Sequence, residues 1–331
     1  MFNVMTITVL GCAALAPSPA ITPVLPPPEL SQLTPIPAAP KPVWQVERGD
    51  GYDVYSNGLR IENGFVAPGR ARGQYLAYRM DSHGSGIIHP ARRLIEPSGI
   101  VFHQTESFQA PLEASETKRL TRIGSDLLGF VQRRHSYHFV VDRFGRVWRI
   151  VPETDVAAHA GHSVWADEQN VYVNLNSAFL GVALESAGSA PPSEAQVHSV
   201  RVLVEWLRYR YTIPASNCIA HAQVSVNPAN MRIGYHTDWA SGFPFAATGL
   251  PDNYRVAVPA VSLFGFQSDA SLMEASGGRP WPGIESAEEQ VRQWAALSGL
   301  SERQFRRRLQ EQYRSVGHDR APQEREENGT E

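Results

Sequence analysis

The chain has little cysteine: Cys12 and Cys218 are the two in 331 residues. If Cys12 is lipidated or removed, Cys218 has no intrachain partner, so no disulfide framework is available. An excess of positive charge is also lacking. Thirty Lys and Arg against 33 Asp and Glu leave a formal net charge of -3, which gives no electrostatic footprint for nucleic acid or an anionic membrane. No internal repeat is apparent. The first 20 residues contain neither Lys nor Arg, and their apolar stretch is short for a transmembrane helix. What the chain does have is 42% hydrophobic content, enough to bury a full core in one large domain or two smaller ones.

Residues 1–20 are apolar and rich in small side chains, as an export signal would be, although the n-region is uncharged. Val9-Leu10-Gly11-Cys12 resembles the lipobox of bacterial lipoproteins, with Cys12 as the acylated residue. Three alternatives stand: a lipoprotein anchored through Cys12, an ordinary cleaved signal, or an uncleaved apolar tail. The first two place the protein outside the cytoplasm, in the periplasm or cell envelope. Residues 21–43 are dense in proline, including Pro26-Pro27-Pro28, and cannot bury a core. They read either as a semi-rigid spacer or as a linker with no reach requirement.

Short apolar pieces broken by Gly, Asn, Asp and Ser fill residues 44–97 and predict strands with tight turns. That segment is expected to be an extension packed on the core domain, with a separate module as the alternative. His83 and His89 fall within it and read as surface or structural histidines. Leu120, Ile123, Leu127 and Leu128 predict an amphipathic helix within Glu113–Arg134; Val197, Val200, Val204 and Leu207 predict another within Ala195–Arg210. Between them, Ser136 to Trp148 alternates on both sides of a Gly-containing turn, as a hairpin would. Strands alternating with helices, plus a hairpin, predict an α/β fold with a central mixed sheet flanked by helices. Residues 251–316 carry a helical pair broken at Ser298-Gly299-Leu300-Ser301, which could add substrate affinity or close the core. The polar tail, 317–331, is expected to be disordered.

Three residues carry the chemistry. His103 ends the apolar run Gly99-Ile100-Val101-Phe102, His221 follows Cys218-Ile219-Ala220, and Asp238 sits in His236-Thr237-Asp238 ahead of Phe243-Pro244. Two imidazoles and a carboxylate make a three-ligand zinc site whose fourth tetrahedral position is open to water, as a hydrolase needs. Taken singly, each would read as a core histidine or a capping aspartate.

The order of these motifs, with Ser136-Tyr137-His138-Phe139, Ala158-His159-Ala160-Gly161-His162 and Asn176 to Glu185, resembles the type 2 zinc-dependent N-acetylmuramoyl-L-alanine amidases. Their fold is shared with the peptidoglycan recognition proteins, and the resemblance covers roughly residues 95 to 248; the domain itself is placed at 98–250. It implies zinc held by His103, His221 and Asp238. It also implies hydrolysis of the amide between N-acetylmuramic acid and L-alanine in peptidoglycan or muropeptides, by a chain expected to be monomeric. With no charge field, recognition of that polymer is expected to come from a groove.

The resemblance extends to further residues and also departs from the family. Tyr137 matches a tyrosine that some members use beside the metal. Members commonly place a lysine two positions before the acidic ligand, where this chain has His236 as the oxyanion donor. Others use a glutamate that falls on Ala183, leaving Glu185, two residues along, as a substitute or as a structural residue. His138 is expected to point away from Tyr137 by alternation. His159 corresponds to a groove position that contacts substrate, and Trp165 and Asn176 are candidates for the same groove. The loop between His221 and Asp238 is longer than usual, which an Asn227-Pro228-Ala229-Asn230 turn would accommodate. Two other classes stay open: a recognition domain that binds peptidoglycan without cleaving it, and a structural zinc domain, although structural sites are usually closed by cysteine.

Overall fold

In the computed structural model the described residues are 39–80, 86–188 and 190–318, without the side chains of 88–90 and 317–318. Cys12, the rest of residues 1–20 where an export signal is expected, most of the proline-rich stretch, His83, the His89 side chain and the tail beyond 318 therefore lie outside the described residues. The described residues form one compact unit.

The Gly99–Gln104 strand is apolar up to its last two residues because it lies inside a sheet, and all six of its residues are buried. It pairs in parallel with Phe179–Leu184 on one side and with Cys218–Ala220 on the other. Phe179–Leu184 continues in parallel to Phe139–Val141, which turns back antiparallel as Val147–Arg149. Arg60–Glu62, Tyr52–Tyr55 and Gln45–Gly49 then extend the same sheet to eight strands, mixed in direction. Buried parallel strands read as continuous apolar runs, and Ile100-Val101-Phe102 and Phe179-Leu180 are such runs.

Alternation divides the side chains between two faces. Ile100, Phe102, Leu180, Val182 and Leu184 pack with Val200, Leu203, Val204 and Leu207 of the Glu194–Tyr211 helix. That helix starts on a capping box between Ser193 and Gln196. On the opposite face, Val101 and Phe179 meet Trp165 and Tyr172, and Val140 and Ala183 meet Leu128 and Val131 of the Thr117–Arg134 helix. His103, two residues after Val101, is delivered to this second face at the carboxyl end of its strand.

A second, four-stranded antiparallel sheet joins Tyr75–Met80 and Ile87–Leu94 to Val164–Ala166 and Asn170–Val173. Segments about 90 residues apart make it, so local pattern alone did not predict the pairing. The Tyr137 segment also differs from simple alternation. Tyr137 has φ 62°, and the strand begins only at Phe139. The long connection from His221 to Asp238 holds a small hairpin, Val226–Asn227 against Arg232–Ile233. Asn227 and Asn230 side chains accept the turn amides of Ala229 and Arg232.

The carboxyl-terminal pair spans Pro282–Leu297 and Glu302–His318, so the second helix runs two residues into the expected tail. Gly299 has φ 65° between them, and Ser301 and Gln304 form a reciprocal cap. Val291, Ala295, Phe305 and Leu309 pack the two helices together, while Tyr313 lies edge-on to Phe264 and Phe266. The pair closes the core. Among the described residues no helix is long and apolar enough to cross a membrane.

The strand that carries His103 starts where no side chain fits. A Cβ at Gly99 would run into the Phe179 ring and come within 2.6 Å of the Asn217 carbonyl oxygen. Overpacking of this kind costs about 1–3 kcal/mol, or roughly 2–4 °C of Tm per kcal/mol for a chain of this size. Gly99→Ala is therefore expected to lower the calorimetric Tm by several degrees. An unchanged Tm would mean that Phe179 and Asn217 do not close over this point.

Candidate metal centre

His103, His221 and Asp238 come together from three separate elements: the end of the central strand, the start of the short His221–Val224 helix, and the loop that follows the small hairpin. One ligand atom from each lies within 4.8 Å of the others, and all three residues are buried. Asp238 is the centre of the group. Its Oδ1 lies 2.8 Å from His221 Nδ1 and its Oδ2 3.3 Å from His103 Nδ1. The two imidazole rings are 4.4 Å apart, centroid to centroid.

The backbone around Asp238 is held on several sides. Its carbonyl accepts the Ala222 amide at 3.2 Å, and the Trp239 amide donates to Gln104 Oε1 at 3.3 Å. The Gln104 amide lies 3.4 Å from Asp238 Oδ2. Residues beyond the loop brace it further. Tyr254 donates its hydroxyl to the Trp239 carbonyl and accepts the Phe243 amide; Trp281 Nε1 donates to the Ala240 carbonyl. Phe243 is stacked on Phe102 at 4.2 Å, so the Phe243-Pro244 motif fastens the loop to the strand of His103.

Burial shapes the charges. The His103 imidazole is pushed down to about 4 by burial and then by the neighbouring His221, so at neutral pH it is the uncharged form that ligates metals. Burial alone would raise the Asp238 carboxyl, but His221 and His103 outweigh it and hold the group well below the usual carboxylate range. A buried carboxylate needs a compensating cation. Two imidazoles and a carboxylate with one tetrahedral position left over suit zinc, so the donor set fits that ion.

Tyr137 lies beside this cluster, its ring centroid 5.0 Å from that of His103. Burial, then the charges of Asp238 and Glu106, raise its phenol, which keeps it an O–H donor. His236 stacks on His221 at 4.9 Å and 21°, with its amide on Ser225 Oγ. Glu185 is elsewhere: its Oε2 accepts the Arg143 amide at 3.1 Å and serves the hairpin turn. Ala183 is the residue in register with His103, so a side chain two residues farther on meets that turn instead of the cluster.

The three groove candidates are all buried. Trp165 has no exposed surface and donates Nε1 to Asn217, so it offers no stacking face. Asn176 is buried, and its Oδ1 accepts the amides of His159 and Ala160 at 3.0 and 2.7 Å. His159 is buried behind His103 and bonded to it. His138 is fully buried, with Nδ1 accepting the Gly181 amide.

Gln104, Tyr254 and Trp281 went unnoticed in the sequence. A polar residue immediately after His103 in an otherwise apolar strand was the available signal for Gln104. Tyr254 and Trp281 carry no such local mark.

Residues 93–238 match the family model described as N-acetylmuramoyl-L-alanine amidase. A curated relative, N-acetylmuramoyl-L-alanine amidase AmiD of Escherichia coli (strain K12), is 30% identical over 117 residues, covering 30% of this chain and 41% of that protein. The chain thus spans less than half the length of that relative. Among solved structures, AmiD from E. coli in complex with anhydro-N-acetylmuramic acid-L-Ala-D-gamma-Glu-L-Lys is 22% identical, covering 52% of this chain and 66% of its own, with a TM-score of 0.36. AmpDh3 from Pseudomonas aeruginosa in complex with anhydromuramic pentapeptide is 19% identical, covering 60% of this chain and 82% of its own, with a TM-score of 0.33.

Three imidazoles at and behind the cluster are depressed by burial: His103 to about 4, His138 and His159 well below their ordinary 6.5. The folded state keeps them neutral while the unfolded chain takes up protons below about pH 6.5. Their contribution is therefore complete above that pH and is lost as pH falls from 6.5 toward 4, by about 1.4 kcal/mol per pH unit for each imidazole. Urea midpoints of metal-free protein are expected to drop between pH 7.5 and pH 5. A flat profile over that range would show that these rings are not buried as neutral groups.

Proposed function

We propose that this chain, whose residues 93–238 match the family model described as N-acetylmuramoyl-L-alanine amidase, is a member of the type 2 family and a zinc-dependent hydrolase of the amide between N-acetylmuramic acid and L-alanine in peptidoglycan. The observation that carries this reading is the convergence of His103, His221 and Asp238 in one buried cluster. The family model matches the segment that supplies all three. An envelope location, with Cys12 as an anchor, belongs to the same proposal.

Zinc held by His103, His221 and Asp238 would supply Lewis acidity toward the scissile carbonyl and a water nucleophile at neutral pH. Water adds to the carbonyl carbon, the C–N bond breaks, and the products are the lactyl carboxylate and the free amino terminus of the stem peptide. The chain's own residues arrange this. Tyr137 presents an O–H donor beside His103 to the developing oxyanion or to the attacking water. His236, stacked on His221, is the second donor, in the position where the family commonly has lysine. Asp238 stays ionised between the two imidazoles and keeps its acceptor oxygens available.

A recognition domain without turnover is the second reading, favoured by one observation: Ala183, which cannot move a proton, occupies the place in register with His103 where some members have glutamate. Incubation of residues 39–318 with purified peptidoglycan, read by mass spectrometry, separates the two. Stem peptides with a free L-Ala terminus are expected with zinc and not with chelator or with His221→Ala. Tyr137→Phe is expected to lower kcat by about 10²-fold or more. Tight binding to the wall with no peptide released would instead establish the recognition domain.

A further inference from the structure

Aromatic rings that the amide chemistry leaves unused gather at the hairpin turn. Phe65, Phe144, Arg146 and Trp148 face one flank of the Thr117–Arg134 helix across a cavity of about 370 Å³. That volume falls within the range of small-ligand sites, about 300–1,000 Å³.

Strand register fixes where the cavity lies. His103 pairs with Ala183, Ala183 with Val140, and Val140 with Trp148, so the four residues share one row on one face of the sheet. Three strand spacings make the row about 14 Å long. Leu128 and Val131 of the helix pack on Val140 and Ala183 in the middle of it. The metal cluster and the cavity therefore lie on opposite flanks of one helix.

Asp142 holds the aromatic wall. Its Oδ1 accepts the amides of Phe144 and Arg146 at 3.0 and 2.9 Å, and its Oδ2 accepts Arg146 Nε at 2.6 Å and Trp148 Nε1 at 3.0 Å. Phe144 is thus carried on a fixed turn while its ring stays 52% exposed, and Phe65 meets Trp148 edge-on. The same bonds set the charge. Arg146 is the one charged residue lining the cavity, and Asp142 neutralises it. Glu62, next to Trp148 in the row, is paired with Arg60. An anionic ligand would find no uncompensated cation among these groups. On the helix side, Gly124 weakens its own element, since glycine in a helix interior is worse than alanine. No neighbour demands it, because a Cβ there would meet nothing within 4 Å. What the missing side chain leaves is open room in the cavity.

We propose that this cavity binds an uncharged sugar of the glycan strand, seated on Phe144 and Trp148, and holds the protein to its polymer from the flank opposite the metal. A pyranose presents apolar C–H faces to aromatic rings and hydroxyls at its edge, which Ser125 and the remaining guanidinium N–H groups of Arg146 can meet. The inference rests on the peptidoglycan reading above for the source of that sugar. A second contact on one polymer raises the effective concentration at the first.

The probe is the β-1,4-linked tetramer of N-acetylglucosamine, titrated into the full-length protein while NMR follows the Trp148 indole N–H. Sedimentation with purified peptidoglycan in the presence of chelator reads polymer binding, and cleavage of a soluble muramoyl peptide reads the metal site. The tetramer is expected to shift the Trp148 signal. Phe144→Ala and Gly124→Leu are each expected to weaken both kinds of binding about tenfold, the loss of one ring stack, and to leave kcat/KM on the soluble peptide unchanged. Both variants are expected to fold, since the Phe144 ring is exposed and the Gly124 position is open; an unchanged or raised Tm checks this. Absence of a Trp148 shift with the tetramer overturns the proposal, as does wild-type binding by the folded variants. A shift produced by a phosphate-bearing wall polymer or by free stem peptide, and not by the tetramer, overturns it too. If no muramoyl peptide is cleaved while tetramer binding is intact and lost in the variants, the amidase reading fails and the sugar site stands.

Discussion

A carboxylate buried between two imidazoles is the constraint on which the rest of this structure depends. Removing an unpaired carboxylate from water costs far more than a domain's net stability can absorb, so Asp238 can sit 6% exposed only where partners are fixed in advance. Most of the surrounding structure supplies such fixing. Gln104 meets both the carboxylate and the following amide, Ala222 ties the loop to the helix that starts at His221, and Tyr254 and Trp281 hold the next residues from behind. The carboxyl-terminal segment, remote from the cluster in sequence, is thereby part of its support.

The sheet explains why three distant residues meet. Parallel strands end on the same side, so Gly99–Gln104 and Cys218–Ala220, paired in register, deliver His103 and His221 to one edge. Alternation then selects the face. The apolar residues before His103 are divided between two cores, and the histidine emerges on the face where Tyr137 and His159 also lie. Preorganisation of this kind keeps the donors in place without help from the substrate, which is where such sites obtain most of their electrostatic advantage.

How much of this could be read from the sequence depended on range. The two long helices and the helical pair follow from apolar spacing, because that pattern is local. His103, His221 and Asp238 stood out because each interrupts or follows an apolar run, and because their order resembled a family. The residues around them were less legible. Whether Trp165 faces a groove or the interior depends on a second sheet built from segments 90 residues apart. Glu185 read from sequence either as a substitute for a glutamate at 183 or as a structural residue, and only strand register shows Ala183 opposite His103 with Glu185 at a turn. Tyr137 adopts φ 62°, where simple alternation has no force. His159 could be linked to the site by its motif, but its hydrogen bond to His103 exists only after folding.

Zinc K-edge X-ray absorption on the loaded protein reads the ligands of the metal directly. The proposed site predicts a four-coordinate shell of nitrogen and oxygen at about 2.0–2.1 Å, with the outer-shell pattern of two imidazoles and no sulfur, and loss of that shell in His221→Ala. A sulfur contribution, or a shell unchanged by His221→Ala, would contradict it and place the metal somewhere other than between His103, His221 and Asp238.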